Sequence, residues 1–194
     1  MRSAAVERKT LETGVSVEWN LDGSGSCEIN TGIGFLDHML TLLAKHSFSD
    51  LTVQAKGDLD VDSHHTVEDC GIVLGQALKE AIGDKAAIHR YGNCFLPMDE
   101  ALVQVCLDFS GRAYLVFDAD IPKVQLGIYD AEMTEEFFRA VAMQAGLTLH
   151  IRVLSGKNTH HIIEAMFKGF ARALAEAWSI DSRVRGVMSS KGTL

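Results

Sequence analysis

From Val15 to Leu21 apolar and polar residues alternate without a break, Val-Ser-Val-Glu-Trp-Asn-Leu, which is the period-2 pattern of a strand with one buried face. The pattern predicts a strand near 14–20, a turn at Asp22-Gly23-Ser24-Gly25 and a second strand near 26–30, together a hairpin. The period then changes. Phe35, Leu36, Met39, Leu40, Leu42 and Leu43 fall on or beside one face of a helix over 35–46. A strand at 51–56 and a long helix at 64–82 follow. The same order recurs downstream as strands near 101–109 and 113–119, a helix at 132–145, a strand at 147–153 and a helix at 160–178. This implies an α+β protein, with sheets on one side and helices on the other. Gly71 and Gly75 interrupt the first long helix at a cost in helix stability relative to Ala, so close helix packing is the purpose that best explains them.

The recurrence is also one of residue identity. Asp62-Ser63-His64-His65-Thr66-Val67-Glu68 returns 96 positions later as Asn158-Thr159-His160-His161-Ile162-Ile163-Glu164. At the same offset Leu51-Thr52 lies over Leu147-Thr148, Ala77-Leu78 over Ala173-Leu174, and Glu80-Ala81 over Glu176-Ala177. The unbroken register implies an internal duplication, about 3–90 on 99–186, followed by a tail at 187–194. Two repeats of this length are half-domains rather than a solenoid. No Pro/Ser-rich linker separates them, and Pro occurs only at 97 and 122, so a single domain with one shared core is expected.

Composition narrows the function classes. A chain of 194 residues, 47% hydrophobic, can bury a proper core. Its net charge of −8 argues against nucleic acid as a partner. No apolar run reaches the length of a membrane span and the N-terminus has no signal-like apolar segment, so a cytoplasmic location is expected. Cys27, Cys70, Cys94 and Cys106 form no CxxC pair and read as reduced, mostly buried thiols.

The chemistry sits in the repeated cassette. On a helix His64 and Glu68 are one turn apart on one face, as are His160 and Glu164, so each pair can reach a common ion. The adjacent His65 and His161 point about 100° away and suit a different ion. Imidazole with carboxylate and no thiolate leans toward Mn, with Fe or Zn open. A single His-His pair can simply cap a helix or face solvent, but two copies in register, each with its Glu, favour metal.

Other residues carry weaker signals. His38 follows Asp37 at a helix start, where it can be a ligand or part of a cap; His46 and His89 have less context. Glu136 lies in Glu-Glu-Phe-Phe, by default a solvated helix face. Asp58, Asp60 and Asp62 form a carboxylate run that can hold a cation or simply stay solvated. Ser189-Ser190-Lys191-Gly192 can wrap a phosphate or remain a disordered polar end. A metal-buffering protein with saturated ligands and a dinuclear metallohydrolase acting on a phosphate ester both remain open on these residues alone.

Gly34-Phe35-Leu36-Asp37-His38-Met39-Leu40, the two His-His-x-x-Glu segments and the terminal Ser-Ser-Lys-Gly stand in one order along nearly the whole chain. In this the sequence resembles the imidazoleglycerol-phosphate dehydratases of histidine biosynthesis, in their monofunctional form. The resemblance implies two Mn2+ ions per active site and trimers assembled into a shell of 24 subunits. Carried over by position, it implies metal ligands at His38, His64, His65, Glu68, His160, His161 and Glu164. Where the family commonly has a His, in Glu-His-Phe-Phe, this chain has Glu136, which implies an altered donor set. Phosphate contacts are implied at Arg90, Arg112, Lys168, Ser189, Ser190 and Lys191. The implied substrate-binding set adds His46 and the ligands themselves, and catalytic roles fall to Glu12, for proton transfer, with Glu68 and Glu164. Asp99 and Glu100 are alternatives to Glu12.

The implied reaction also accounts for the ligands. An ordinary diol dehydrates poorly, because its C–H is barely acidic and hydroxide leaves badly. A small phosphorylated substrate with an imidazole beside the leaving hydroxyl changes this. Held as imidazolate by two Lewis-acidic ions, the ring can expel the hydroxyl and form a diazafulvene, which loses a proton and tautomerises to imidazole-acetol phosphate.

Overall fold

The protein is described here from a computed structural model covering residues 2–194. Its first half contains β1 (Ser3–Lys9), β2 (Thr13–Asn20), β3 (Cys27–Asn30), α1 (Gly34–Ser47), β4 (Asp50–Gly57) and α2 (His64–Ile82). The second half contains β5 (Tyr91–Met98), β6 (Ala101–Asp108), β7 (Tyr114–Asp118), the two-residue strands β8 (Gln125–Leu126) and β9 (Tyr129–Asp130), α3 (Met133–Ala145), β10 (Thr148–Ser155) and α4 (Thr159–Trp178). The duplication is plain in the topology. One sheet runs β1-β2-β4-β3 and the other β5-β6-β10-β7, so each strand has a counterpart in the same place. The offset is 88 for β1 and β2 against β5 and β6, and 96 only from the region of the cassettes, so the second half begins at Tyr91 and not at 99 as the single register implies.

The expected β2–β3 hairpin does not form. β4 inserts between them, antiparallel to β2 and parallel to β3. Parallel neighbours need a crossover, and α1 supplies it, as α3 does between the parallel pair β7 and β10. The turn at 22–25 therefore leads into the crossover unit, and Asp50 at the start of β4 pins it by accepting from the backbone N–H of Ser24 (2.8 Å) and Ser26 (3.0 Å).

The helices are not gathered on one side, as the sequence suggests, but lie between the two sheets. Val15, Val17 and Trp19 on β2 with Leu51 and Val53 on β4 form a buried inner face against α2; Val103, Val105, Leu149 and Ile151 do the same in the second sheet, on which α4 packs. Across the middle, α2 packs on α3 and α1 on α4, so each half pairs its helices with those of the other. One continuous apolar cluster results. Aromatic contacts thread it: Trp19 meets Trp178 edge-on at 6.1 Å, and Phe137, Phe138, Phe167 and Phe170 pack where α3 meets α4. Gly71 and Gly75 face α3, where a Cβ on Gly71 would lie 2.8 Å from Phe137 O and one on Gly75 2.7 Å from Val141 O.

Among the thiols only Cys70 is buried, and desolvation pushes it up to about 12. Cys27, Cys94 and Cys106 are half-buried rather than buried as the sequence suggests: Cys27 and Cys94 lie on edge strands against the rim of the core, Cys106 is on the outer face of β6, and all four cysteines are unpaired. No helix among the described residues is long and apolar enough to cross a membrane.

Candidate active site

Entry into α1 is fixed by Asp37, whose Oδ1 accepts from the backbone N–H of Thr31 (2.8 Å) and from its hydroxyl (2.6 Å). With the acid used in this way, His38 is left to face α4. There Asn158 caps the helix by accepting from the N–H of His161, which starts the first turn at the repeated histidines. His160 Nε2 lies 3.0 Å and His38 Nε2 3.4 Å from the same oxygen, Glu164 Oε2. Ligand atoms of these three residues all fall within 4.8 Å of one another. Phe35 stands edge-on to His160 at 5.2 Å and is backed by Tyr129, which steadies the ring.

Glu164 is only 6% exposed. Burial opposes its charge, yet Lys168, 2.5 Å from Oε1, and His160 outweigh burial and hold the carboxyl below its usual range. Two imidazoles and an ionised carboxylate converging on one point are a donor set suited to Mn, Fe or Zn.

The equivalent pair on α2 is looser. His64 Nε2 is 3.8 Å from Glu68 Oε2, and His64 lines a cleft of about 430 Å³ whose far wall is α3, with Glu136 among its residues. Glu136 is held by Arg139 at 3.5 Å. The structure thus brings Glu136 and His64 to one cleft, without placing them in contact.

His65 and His161 turn away from these clusters. His65 Nδ1 is 3.0 Å from Asp58 Oδ2 and 3.9 Å from Glu12, and the Asp58 bond raises its pKa. His161 Nδ1 is 2.7 Å from Glu100 Oε2, with the same effect. Glu100 also accepts from the N–H groups of Lys157 and Asn158, and His161 together with these donors lowers it to about 2. The acidic run read from sequence is therefore divided: Asp58 supports His65, and Asp62, in the turn before α2, accepts from His64 N at 2.7 Å.

The cationic candidates fall into two groups. Lys168 reaches Met98 at the end of β5 and, with Arg172, lies close enough to His46 to lower that ring's pKa, on top of the larger effect of burial. Arg90, before the start of β5, makes a two-pronged pair with Asp108 (2.7 and 3.0 Å) and donates to Met188 O at 2.6 Å. Arg90 thus anchors the tail, while Ser189, Ser190 and Lys191 stay largely accessible. Arg112 lies in the β6–β7 turn, where Ser110 accepts from its backbone N–H.

The family profile described as imidazoleglycerol-phosphate dehydratase matches residues 31–174. The chain belongs to the imidazoleglycerol-phosphate dehydratase family. It is a hydro-lyase, and its activity is the dehydration of imidazoleglycerol phosphate in histidine biosynthesis. It is 61% identical over 193 residues to the imidazoleglycerol-phosphate dehydratase of Acetivibrio thermocellus, covering 100% of this chain and 99% of the relative. To that of Clostridium acetobutylicum it is 58% identical, covering 100% and 98%. The crystal structure of imidazoleglycerol-phosphate dehydratase from Staphylococcus aureus superposes with a TM-score of 0.84 at 46% identity, covering 92% of this chain and 99% of that one. The Pyrococcus furiosus enzyme gives the same TM-score at 39% identity, covering 97% and 100%.

Within this dehydratase, Asp58 and the contact between Lys168 and Glu164 carry site geometry that sequence reasoning did not assign. Asp58 looked like one of three solvated acids, and only the packing of the 58–62 loop against α2 separates it from Asp60. The i,i+4 spacing of Glu164 and Lys168 was the available signal for the second.

Proposed function

We propose that this dehydratase forms imidazole-acetol phosphate with two Mn2+ ions per active site, and that its sites are completed between subunits, in a shell of 24 built from trimers. The observation that carries the reading is the convergence of His38, His160 and Glu164 on one point. These would hold one ion; His64, Glu68 and Glu136 would hold the other, with His65 and His161 of neighbouring copies adding donors. When bound, two such ions supply Lewis acidity to the nitrogens of the substrate's imidazole, letting ring electrons expel the adjacent hydroxyl.

The chain's own residues do the rest. Lys168 keeps Glu164 ionised, so that it donates as a carboxylate. Glu12, in the exposed β1–β2 turn and 3.9 Å from His65, would take the proton from the carbon next to the one that loses hydroxide. His46 and Lys168 form one anion-binding group, and Arg112 with Ser189, Ser190 and Lys191 the other.

The division of the cations supports a shared site. Lys168 reaches the end of the eight-residue β5, whereas the Arg90–tail group stands at its start. In this reading one phosphate meets the two groups from different copies.

The test is turnover of imidazoleglycerol phosphate by purified protein stripped of metal and then loaded with Mn2+. Ketone formation restored by Mn2+ is the expected result. Full turnover after verified metal removal would reject the metal-dependent reading, and release of inorganic phosphate would favour the hydrolase.

A further inference from the structure

His65 and His161 do not point at the carboxylate of their own cassette. Each has Nδ1 engaged instead, His65 with Asp58 Oδ2 at 3.0 Å and His161 with Glu100 Oε2 at 2.7 Å. An ionised carboxylate accepts and cannot donate, so both rings carry a proton on Nδ1. In the neutral ring the lone pair is then on Nε2, on the side away from the support. For His161 Nε2 the nearest acidic oxygen is Asp99 Oδ2 at 3.7 Å, beyond hydrogen-bonding range.

We propose that Asp58 and Glu100 are positioning residues for His65 and His161, fixing the tautomer and aiming Nε2 outward as a donor to a divalent cation held mainly by another copy of the chain. The inference rests on the metal-dependent reading above. A ligating imidazole is commonly oriented by such a partner on its other nitrogen, and loss of the partner weakens metal binding by about 10- to 100-fold.

The two supports are built differently, and this makes the inference testable. Glu100 immediately precedes β6 as Glu12 precedes β2, so the two acids occupy equivalent turns. Glu100 uses both oxygens: Oε1 accepts from Lys157 N (3.1 Å) and Asn158 N (2.7 Å), on the approach to α4, and Oε2 accepts from His161. Glu12 stays 3.9 Å from His65 and leaves the close bond to Asp58, whose Oδ1 is buried with no hydrogen-bond partner.

Amide replacements should therefore act in opposite ways. In Glu100→Gln the amide oxygen must face the two backbone N–H donors, which turns its NH2 toward His161. The ring must then accept at Nδ1, the proton moves to Nε2, and the outward lone pair is lost. In Asp58→Asn the oxygen can remain on His65 while the NH2 takes the place of Oδ1, where no donor opposes it. The tautomer survives.

The experiment is a Mn2+ titration of chelator-stripped protein, reading free Mn2+ by its electron paramagnetic resonance signal, with circular dichroism and thermal melting in parallel. Wild type and Asp58→Asn should bind with matching affinities. Glu100→Gln, with native-like dichroism, and Asp58→Ala should each bind Mn2+ about 10- to 100-fold more weakly at one class of site. Wild-type affinity in Glu100→Gln, or equal losses in Asp58→Asn and Asp58→Ala, overturns the assignment. Wild type that binds no Mn2+ overturns the metal-dependent reading itself, and the assignment with it.

Discussion

Glu12 and Glu100 began in equivalent turns of the two halves and now differ in what surrounds them. Three donors converge on Glu100 and hold it at about 2, so it stays an anion at neutral pH and has no proton to give or reason to accept one. Glu12 has no such anchors; its side chain is 58% exposed, and its nearest charged neighbour is His65 at 3.9 Å. A residue that must exchange protons with a substrate needs that freedom. Glu12→Gln should lower kcat by about 10²- to 10⁴-fold, the usual worth of a general acid or base, with little change in KM or in bound Mn2+. Near-normal kcat in steady-state assays would move the proton-transfer role elsewhere. The sequence made the His160–Glu164 half of the His38, His160 and Glu164 cluster legible because a His-x-x-x-Glu spacing on a helix states its own geometry. It could not separate Asp58 from Asp60, or Glu100 from Asp99, since such distinctions depend on where a turn folds back onto a helix.

At the scale of elements, the long helices and central strands were readable because their periods are strong; α2 begins and ends where the pattern placed it. β1 and β5 were missed, and both are edge strands. β1 alternates only between exposed and half-buried positions, and its Glu7, Arg8 and Lys9 hide what alternation there is. β5 exposes Tyr91 and Phe95 and contains Pro97, which suits an edge and weakens a strand signal. The glycines of α2 are better explained now than by sequence. A methyl at Gly71 would press on Phe137 O and on Ala140 Cβ at 2.9 Å, and one at Gly75 on Gln144 Cβ at 2.7 Å. Overpacking of this kind costs about 1–3 kcal/mol, against about 1 kcal/mol regained from helix propensity. Gly71→Ala and Gly75→Ala should each lower the melting temperature by a few degrees, and more so together; calorimetry showing stabilisation would mean that the α2–α3 interface yields easily.

For the whole molecule, the α+β class and the duplication could be read from the offset of 96 residues over 51–81, but not the point where the second half begins, because the offset is 88 over the first two strands. The layering was hidden too, because periodicity says which face of a helix is buried and not which partner buries it. The same limit hid the separation of the cationic groups along β5. If ions are shared between copies, metal binding and assembly are linked by mass action. Chelation should then shrink the particle in sedimentation velocity, and added Mn2+ should restore it; an unchanged size after verified metal removal would count against shared ligation. The exchange of helices, α1 onto α4 and α2 onto α3, has a consequence of its own. Neither half encloses an interior by itself, since each lays its helices against those of the other. The connection at 83–90 is thus less a hinge between two bodies than the tether that keeps a pseudo-symmetric dimer permanently together, and the molecule should melt as one cooperative unit.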